Sequence, residues 1–517
     1  MKPKTTIQKI LLVGLYDTNT VSLAPQILKH YVQPIAVEKK IDIKTSEFSI
    51  FDDDINAIVS KINAQKADVV CFSTYIWNVN IILKVIEKIP AMVVLGGPQV
   101  TGIEKELLRE NSCIDVIVTG EGEETFRELI EYFVDERALS DIKGITTREI
   151  QTMVRPVIDS LDEIPSIYED TLNHHRNLSW ICLETSRGCP MGCKYCTWSM
   201  SRKMRYYSVD RVKRDLDLIF SENSIKEIYL CDSNILINKQ RAWEILNHIG
   251  QKKKDKVIRF EFDPLMLDSK TIDLLDSLSQ NEFNFGIQTV NKRALEIVGK
   301  RFDKHFFEDT YRLIISKIKM PILTIDLIYG LPGDDIETYK DSLEYALGFR
   351  EVTRILTNPL IVLPGSSFYL DMDRYKIKLK DKQSYMIQEN FSFSKEDMEA
   401  AKKYSFYVYV LFFNSILMDC IRAYARLKNQ RLIDTVIDFF DSLPFDVTGG
   451  HGFPYTIPSI KEGFVRRNKV IKALAKNFAD IVACFNQYSR SRFKSVLTDY
   501  QAGDTQYFAK MKRLASQ

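Results

Sequence analysis

Residues 187–198 read "RGCPMGCKYCTW" and place three cysteines, Cys189, Cys193 and Cys196, within eight positions. A closed structural zinc site takes four ligands, a disulfide takes two, and a nucleophile works alone. The nearest further thiol is Cys182, seven residues upstream in an apolar run that reads as a strand, so its side chain is expected in a sheet. His174 and His175 are the nearest imidazoles. Thiolate sulfur is a soft ligand that suits zinc or an iron–sulfur cluster. A [4Fe–4S] cluster usually takes four cysteines, so three would leave one iron for a ligand from outside the protein. The loop follows the expected strand "WICLETS" (180–186). Barrel enzymes place their chemistry at such carboxyl ends.

Downstream, the strand–helix alternation continues through "IKEIYLCD", "VIRFEF", "NFGIQ", "ILTIDLIYG" and "RILTNPLIVLP". Six strands with helices between them predict an open, partial (β/α)6 barrel over residues 179–365. Upstream, residues 1–135 alternate "QKILLVGLY", "IDIKTSEFSI", "ADVVCFST", "AMVVLGG" and "IDVIVTGEG" with helical patterns such as "NIILKVIEKI". That pattern predicts a doubly wound, Rossmann-like parallel sheet. Residues 136–178 read as a hairpin and proline-bearing linker, and residues 366–517 as a mostly helical C-terminal domain. The fold class is therefore α/β, with a helical end. Ser394, followed closely by Glu396 and Asp397, marks a helix start.

The chain has 71 basic and 69 acidic side chains, a formal net charge of +2, which argues against nucleic acid or anionic membrane as an electrostatic partner. The stretch 404–424 is the most membrane-like, but its tyrosines, Asn414 and Asp419 interrupt it, so a buried core helix is expected and no transmembrane segment. The N-terminus lacks a signal-peptide pattern. Of the nine cysteines, the six outside the cluster are scattered, which fits a cytoplasmic protein with reduced thiols.

The Cys-x3-Cys-x2-Cys spacing, with Tyr195 before the last cysteine, resembles the signature of the radical S-adenosylmethionine (SAM) superfamily. A structural zinc loop or a chance cluster is the alternative. The resemblance implies that Cys189, Cys193 and Cys196 hold a [4Fe–4S] cluster whose open iron chelates SAM, and that Tyr195 lies near the nucleoside. "YLCDSNI" stands where family members present a polar loop to the SAM amino group, which nominates Asp232 and Ser233, with Asn234 beside them. "FGIQTVN" nominates Gln288, and Arg301 in "VGKRFD" is a candidate for the SAM carboxylate, or a solvated helix-end charge. "IYGLPGDD" resembles the fifth-strand turn and is also ordinary turn chemistry.

The first segment, with "CFSTYIWN", "LGGPQVTG" and "VTGEGEETFREL", resembles the cobalamin (B12)-binding domain of the B12-dependent radical SAM branch. This nominates Ser73, Thr74, Tyr75, Gly96, Gly97, Pro98, Gly120, Glu121 and Gly122 as the cobalamin contacts. The Asp-x-His-x-x-Gly motif that supplies a cobalt ligand is missing, and His30 is the sole histidine of residues 1–135. The expectation is base-off cobalamin without a histidine ligand, its lower face covered near Tyr75 and Trp77. The implied function is a cobalamin-dependent radical SAM enzyme, foremost a C-methyltransferase acting on an unactivated carbon. A radical rearrangement or cyclisation without methylation is the alternative, and a non-catalytic iron–sulfur or corrinoid-binding protein the rival from another class. An electron donor such as flavodoxin or ferredoxin is the implied partner. Small metabolites, lipids and peptides all remain open as substrates. His451, in "GGHGFPYT" (449–456), is read as structural.

Overall fold

The computed structural model describes residues 7–16, 19–51, 53–175, 178–252, 255–280, 282–412, 418, 421–422, 425–426 and 429–441. Six strands form the first sheet: β1 (Lys9–Tyr16), β2 (Asp42–Ser49), β3 (Val69–Ser73), β4 (Met92–Gly96), β5 (Val116–Val118) and β6 (Ile145–Thr146). Their order is β2-β1-β3-β4-β5-β6, parallel except for the antiparallel β5–β6 pair. This is a doubly wound sheet of the flavodoxin-like order, whose switch point for ligands lies between β1 and β3.

The apolar runs become strands because both faces of this sheet are covered. Leu11, Val13 and Leu15 enter one layer with Ile58, Ile82 and Leu95. Ile10 and Leu12 enter the opposite one with Val32, Leu129 and Ile130. Strands buried on both faces read as continuous apolar runs.

The second half opens with β7 (Trp180–Leu183) and a small antiparallel hairpin, β8 (Ser186–Arg187) with β9 (Arg205–Tyr206), which brackets the cysteine loop. β10 (Glu227–Leu230), β11 (Val257–Phe260), β12 (Glu282–Gln288), β13 (Ile322–Tyr329) and β14 (Val352–Pro359) follow. They pair as two three-stranded parallel sheets, β7-β10-β11 and β12-β13-β14, with helices between successive strands. Phe262 and Phe283 meet edge to face at 6.0 Å across the gap between the sheets. One face of these strands is apolar and packed under helices: Ile181, Leu183, Ile228 and Leu230 are all at most 1% exposed.

The segment between the halves divides its loyalty. β6 extends the first sheet, whereas Ile158, Leu161, Ile164, Ile167 and Tyr168 pack into the core of the second half. Beyond β14, β15 (Lys378–Leu379) pairs with β16 (Ile387–Glu389), and helix Lys395–Leu411 starts at a capping box of Ser394 and Asp397. That helix is a core helix, with Phe406, Val408 and Leu411 buried. Among the described residues no helix is long and apolar enough to cross a membrane. His451 and the rest of 442–517 lie outside the described residues, as do Asn414 and Asp419.

Candidate active site where the two halves meet

The cysteine loop hangs from the β8–β9 hairpin. Cys189 and Cys193 are buried and Cys196 is half-buried. The Cys189 amide donates to the Ser201 carbonyl at 2.9 Å, and the Cys196 amide to the Cys193 carbonyl at 3.1 Å. Gly188 has a φ of +98°, and a Cβ there would stand 2.3 Å from the Lys203 carbonyl oxygen, so the hairpin closes only over glycine. Burial pushes the Cys193 thiol up, against the opposing charge of Lys300 and a hydrogen bond with Tyr195. Burial first, then the charges of Cys193 and Cys196, pushes the Tyr195 phenol well above its ordinary value; Asp326 adds to the shift.

Asp232, at the end of β10, is a clamp. It accepts from the Thr185 amide and hydroxyl at 3.0 and 2.7 Å, and from the Ser186 amide and hydroxyl at 2.5 and 2.8 Å. Buried Arg241 braces the same turn, donating to the Thr185 hydroxyl and carbonyl and to the Tyr207 carbonyl. The Ser233 hydroxyl donates to the Gly188 carbonyl at 2.7 Å. "YLCDSNI" thus orders the loop that bears the cysteines.

Arg187, two residues before Cys189, joins the halves. Its guanidinium donates to Glu123 at 2.7 Å and to Glu184 at 2.9 Å, and lies 3.7 Å from Glu121. Arg205 donates to both oxygens of Glu121, at 2.5 and 2.9 Å, and to the Ile158 carbonyl at 2.6 Å. Burial would raise the Glu121 carboxyl, but Arg205 and Arg187 hold it below the usual range. Glu184, more deeply enclosed, is raised by burial despite Arg187. Sequence reasoning missed Arg187, Arg205, Glu123 and Glu184. Arg187 is signalled only by its place two residues before Cys189, and Glu123 only by the strand-end run "GEGEE".

The other face of the barrel strands carries polar groups. Gln288 sits at a bulge in the β12–β13 pairing with φ +71°, a conformation uncommon for a residue with a side chain. A Cβ at Gly286 would lie 2.8 Å from the Gln288 amide nitrogen and 4.0 Å from the Lys300 ammonium. Lys300 therefore reaches this wall, while its neighbour Arg301 is exposed. Asp326 on β13 is pushed up to about 6, by burial and then by Glu261, with Arg354 and Lys300 opposing. A lone carboxylate inside "ILTIDLIYG" was its signal in the sequence. The "IYGLPGDD" turn is structural: Asn291 donates to Gly333 and Asp334.

The nominated residues of the first half gather at the carboxyl edge of its sheet. The Thr74 amide and hydroxyl both donate to the Gly96 carbonyl, at 2.7 and 2.6 Å. Gly97, at φ +114°, lets the two strand ends touch, since a Cβ would lie 2.5 Å from the Thr74 carbonyl oxygen. Ser73 and Pro98 are half-buried beside them. At Gly120 a Cβ would meet nothing within 4 Å, so that turn faces open space, and Gly122 begins the helix that carries Glu123. Asn78, which sequence reasoning passed over, accepts from the Tyr75 amide and donates to the Leu15 and Ser73 carbonyls. Tyr75 stacks on Trp77 at 4.4 Å, and Tyr16 bridges Trp77 to Trp180 of β7. The Tyr75 phenol is raised by burial, and it senses Cys231, Glu184 and Cys182 of the barrel wall. Among the described residues Trp77 Nε1 is buried without a hydrogen-bond partner. His30 lies elsewhere, with Nδ1 on the Gln26 carbonyl and Nε2 on Asp170.

Comparison with known proteins agrees with this geometry. The Radical SAM superfamily profile matches residues 183–346, and the B12 binding domain profile matches residues 29–130. An uncharacterised methyltransferase of Pyrococcus horikoshii is 30% identical over 305 residues, 57% of this chain and 66% of that protein. The 2-(S-pantetheinyl)-carbapenam-3-carboxylate methyltransferase of Streptantibioticus cattleyicolor is 26% identical over 368 residues, 65% of this chain and 52% of that one. The cobalamin-dependent radical SAM methyltransferase TokK of Streptomyces tokunonensis is 23% identical over 415 residues, 73% and 59% of the two chains. The chain thus spans between half and two thirds of the length of these relatives. Among solved structures, the cobalamin-dependent SAM radical enzyme OxsB superposes with a TM-score of 0.62 at 15% identity, covering 99% of this chain and 84% of its own. The methyltransferase TsrM from Kitasatospora setae gives 0.57 at 17% identity, covering 71% and 76%. The first sheet is a B12-type domain and the cysteine loop a radical SAM loop, which imply cobalamin, SAM and a [4Fe–4S] cluster as cofactors: the chain belongs to the B12-binding-domain branch of the radical SAM superfamily.

Proposed function

We propose that this chain is a cobalamin-dependent radical SAM enzyme that transfers a methyl group to an unactivated carbon. One observation carries the reading. Arg187, two residues before Cys189, donates at 2.7 Å to Glu123 on the helix that follows Gly120 and Gly122, which supports a cysteine loop and a B12-type ligand edge that adjoin one space. The residues present suit the groups. Three thiols share one braced loop, Gly120 faces open space, and Trp77 Nε1 is a buried donor that, among the described residues, has no acceptor. When bound, the cluster and SAM supply a 5′-deoxyadenosyl radical on one-electron reduction, and cobalamin supplies a methyl carrier.

The chain's own part is to hold and orient. Cys189, Cys193 and Cys196 would ligate the cluster, kept in register by Asp232 and Ser233. Tyr195 and Gln288 would border SAM. Lys300 is better placed than Arg301 to meet its carboxylate, because it reaches the Gly286–Gln288 wall. Ser73, Thr74, Gly96, Gly97, Pro98, Gly120 and Gly122 would pass the corrin and its tail along the sheet edge. Glu121 is better suited to the joint with Arg205 than to a ligand. Tyr75 and Trp77 would cover the lower face of a base-off cobalamin, since His30 has both ring nitrogens engaged. The reducing chemistry and free thiols suit the cytoplasm.

A second reading keeps both cofactors but ends in ring formation, and it is favoured by relatives named anaerobic magnesium-protoporphyrin IX monomethyl ester cyclase, at 22% identity for the Rubrivivax gelatinosus protein. Anaerobic reconstitution with iron, sulfide, hydroxocobalamin, SAM and a strong reductant decides between them. The expected products are S-adenosylhomocysteine and 5′-deoxyadenosine. The Cys193→Ala variant should lose the cluster's absorbance and all 5′-deoxyadenosine while still binding cobalamin. SAM cleavage that survives the substitution would defeat the assignment. 5′-Deoxyadenosine without S-adenosylhomocysteine would leave the ring-forming reading. Nitrogen superhyperfine splitting in the paramagnetic resonance spectrum of the Co(II) form would defeat the base-off arrangement.

A further inference from the structure

The hairpin that brackets the cysteine loop carries a fault in its pairing. Ser186 stands opposite Tyr206, and Arg187 stands opposite Arg205. A two-stranded hairpin is marginal by itself, and like charges directly opposite each other weaken it further. Arginine facing arginine therefore needs carboxylates from elsewhere before the hairpin, and the loop it closes, can hold one shape.

Three carboxylates surround the pair, and only Glu184 comes from the same half of the chain. It accepts from Arg187 Nε at 2.9 Å. Glu123 accepts from Arg187 at 2.7 Å, in a contact where the two side chains are 6% and 14% exposed. Glu121 takes both Arg205 bonds and the Ile158 amide, the last at 2.9 Å. Glu121 sits between Gly120 and Gly122, the strand-end glycines of the first sheet, and Glu123 opens helix Glu123–Phe133, where the helix dipole favours a carboxylate. The path from that glycine turn to the cluster loop is thus Glu123, one hydrogen bond, Arg187, Gly188 and Cys189. Asp232 and Ser233 act instead on Thr185, Ser186 and Gly188, so they fix the course of β8 and leave the arginine pair to the three glutamates. A contact that only ties the halves together looks different. Lys382 donates to Glu106 at the rim, with its side chain 72% exposed.

We propose that Arg187 is a positioning residue: Glu121 and Glu123 of the first half complete the cysteine hairpin by neutralising its arginine pair, and so set the cluster loop in register with the cobalamin edge. The inference rests on the proposed function, in which both cofactors address one substrate. Register matters there because a misplacement of about 1 Å can cost about a hundredfold in rate. No covalent bond forms or breaks in this role.

The test compares Glu123→Gln, which keeps the side-chain shape and removes the charge, with Arg187→Lys, which keeps the charge and loses the planar fork. Lys382→Ala is the control for a contact that merely joins the halves. The first measurement needs no cofactor: amide hydrogen exchange of the full-length chain, resolved over residues 187–205. The Cys189 amide, which donates to the Ser201 carbonyl, should exchange about tenfold faster in Glu123→Gln, the loss expected for one charged hydrogen bond. Amides of β10 should keep their wild-type rates, as should the whole hairpin in Lys382→Ala. The second measurement uses the reconstituted holoenzyme. S-Adenosylhomocysteine forms only where SAM reaches cobalt, whereas 5′-deoxyadenosine needs SAM at the cluster alone. Their ratio should fall by about tenfold in Glu123→Gln and less in Arg187→Lys. Should Glu123→Gln not fold, Arg187→Lys decides by the same two measurements. Unchanged exchange in the hairpin, faster exchange throughout the chain, an unchanged product ratio, or the same changes in Lys382→Ala would each overturn the proposal. If the hairpin responds as expected but the wild type releases neither product, the grip on the hairpin stands and the functional reading fails.

Discussion

The two parallel sheets of this chain are built from the same strand–helix unit, but only one is covered on both faces. The interior positions of β1, Ile10 to Leu15, are all buried, and they feed two apolar layers on opposite sides. β7 and β10 instead alternate between half-buried and buried positions, and β11 between exposed and buried ones. Helices on both faces consume the first sheet as core, so only its carboxyl edge remains for a ligand. Helices on one face leave the barrel an inner wall bearing Glu184, Tyr229, Arg259, Glu261 and Asp326. Such groups are tolerated there because they pair or reach solvent: Tyr229 donates to Glu261 and Arg259 to Glu227.

Substitutions can break or sharpen this contrast. The largest effect is expected at the joint. The Arg205 side chain is only 3% exposed, and Arg205→Ala would strip half-buried Glu121 of its two closest charged hydrogen bonds, leaving it Arg187 at 3.7 Å and the Ile158 amide. Loss of one member of such a pair typically costs about 3–5 kcal/mol. The thermal midpoint should fall sharply, and limited proteolysis should open the segment around Ile158. Next comes the doubly covered sheet. Leu12→Ala removes a side chain that is 1% exposed and should cost about 2–5 kcal/mol in denaturant melts. A harmless Leu12→Ala would mean that the first sheet is not packed on both faces as described.

The inner wall should respond to pH. Asp326 is pushed up to about 6, so the folded chain holds this proton more tightly than the unfolded chain, whose carboxyl titrates near 3.9. Its contribution therefore favours folding at low pH and is lost as pH climbs from about 4 through about 6. Asp326→Asn removes that loss. The variant's stability relative to the wild type should improve between pH 4 and pH 7, by roughly 1–3 kcal/mol. A difference independent of pH would mean that Asp326 is not enclosed as described. The smallest effect is expected from Arg259→Ala, at the half-exposed end of the same wall, within about 0.5 kcal/mol. Its ion pairs with Glu227 and Glu282 lie near water, and such pairs contribute little.

Much of this was legible in the chain. The runs that became β1, β3, β4 and β5 announced a buried parallel sheet because strands covered on both faces carry no polar alternation, whereas edge strand β2 keeps polar residues. The cysteine loop was legible because a cluster's ligands must be close in space and short spacing keeps the three on one loop, although among the described residues no three such side chains converge on a metal position. Asp232 was legible as a position but not as a role: its donors Thr185 and Ser186 lie 47 and 46 residues away, and they make it a clamp. Glu121 was read as a cobalamin contact from the glycines around it, yet its carboxylate meets Arg205, 84 residues on. Between Arg301 and Lys300, only the turn after helix Lys292–Val298 decided which side chain reaches the Gly286 wall.

The sequence by itself therefore determined what is local: strand and helix periods, the tri-cysteine spacing, the strand-end glycines, and through them the family. Only the tertiary structure decided which polar side chains are consumed in holding the two halves together and which face the space between them. The physical reason is that a buried charge is assigned by its partner. Here those partners come from distant strands that meet only once both sheets are folded.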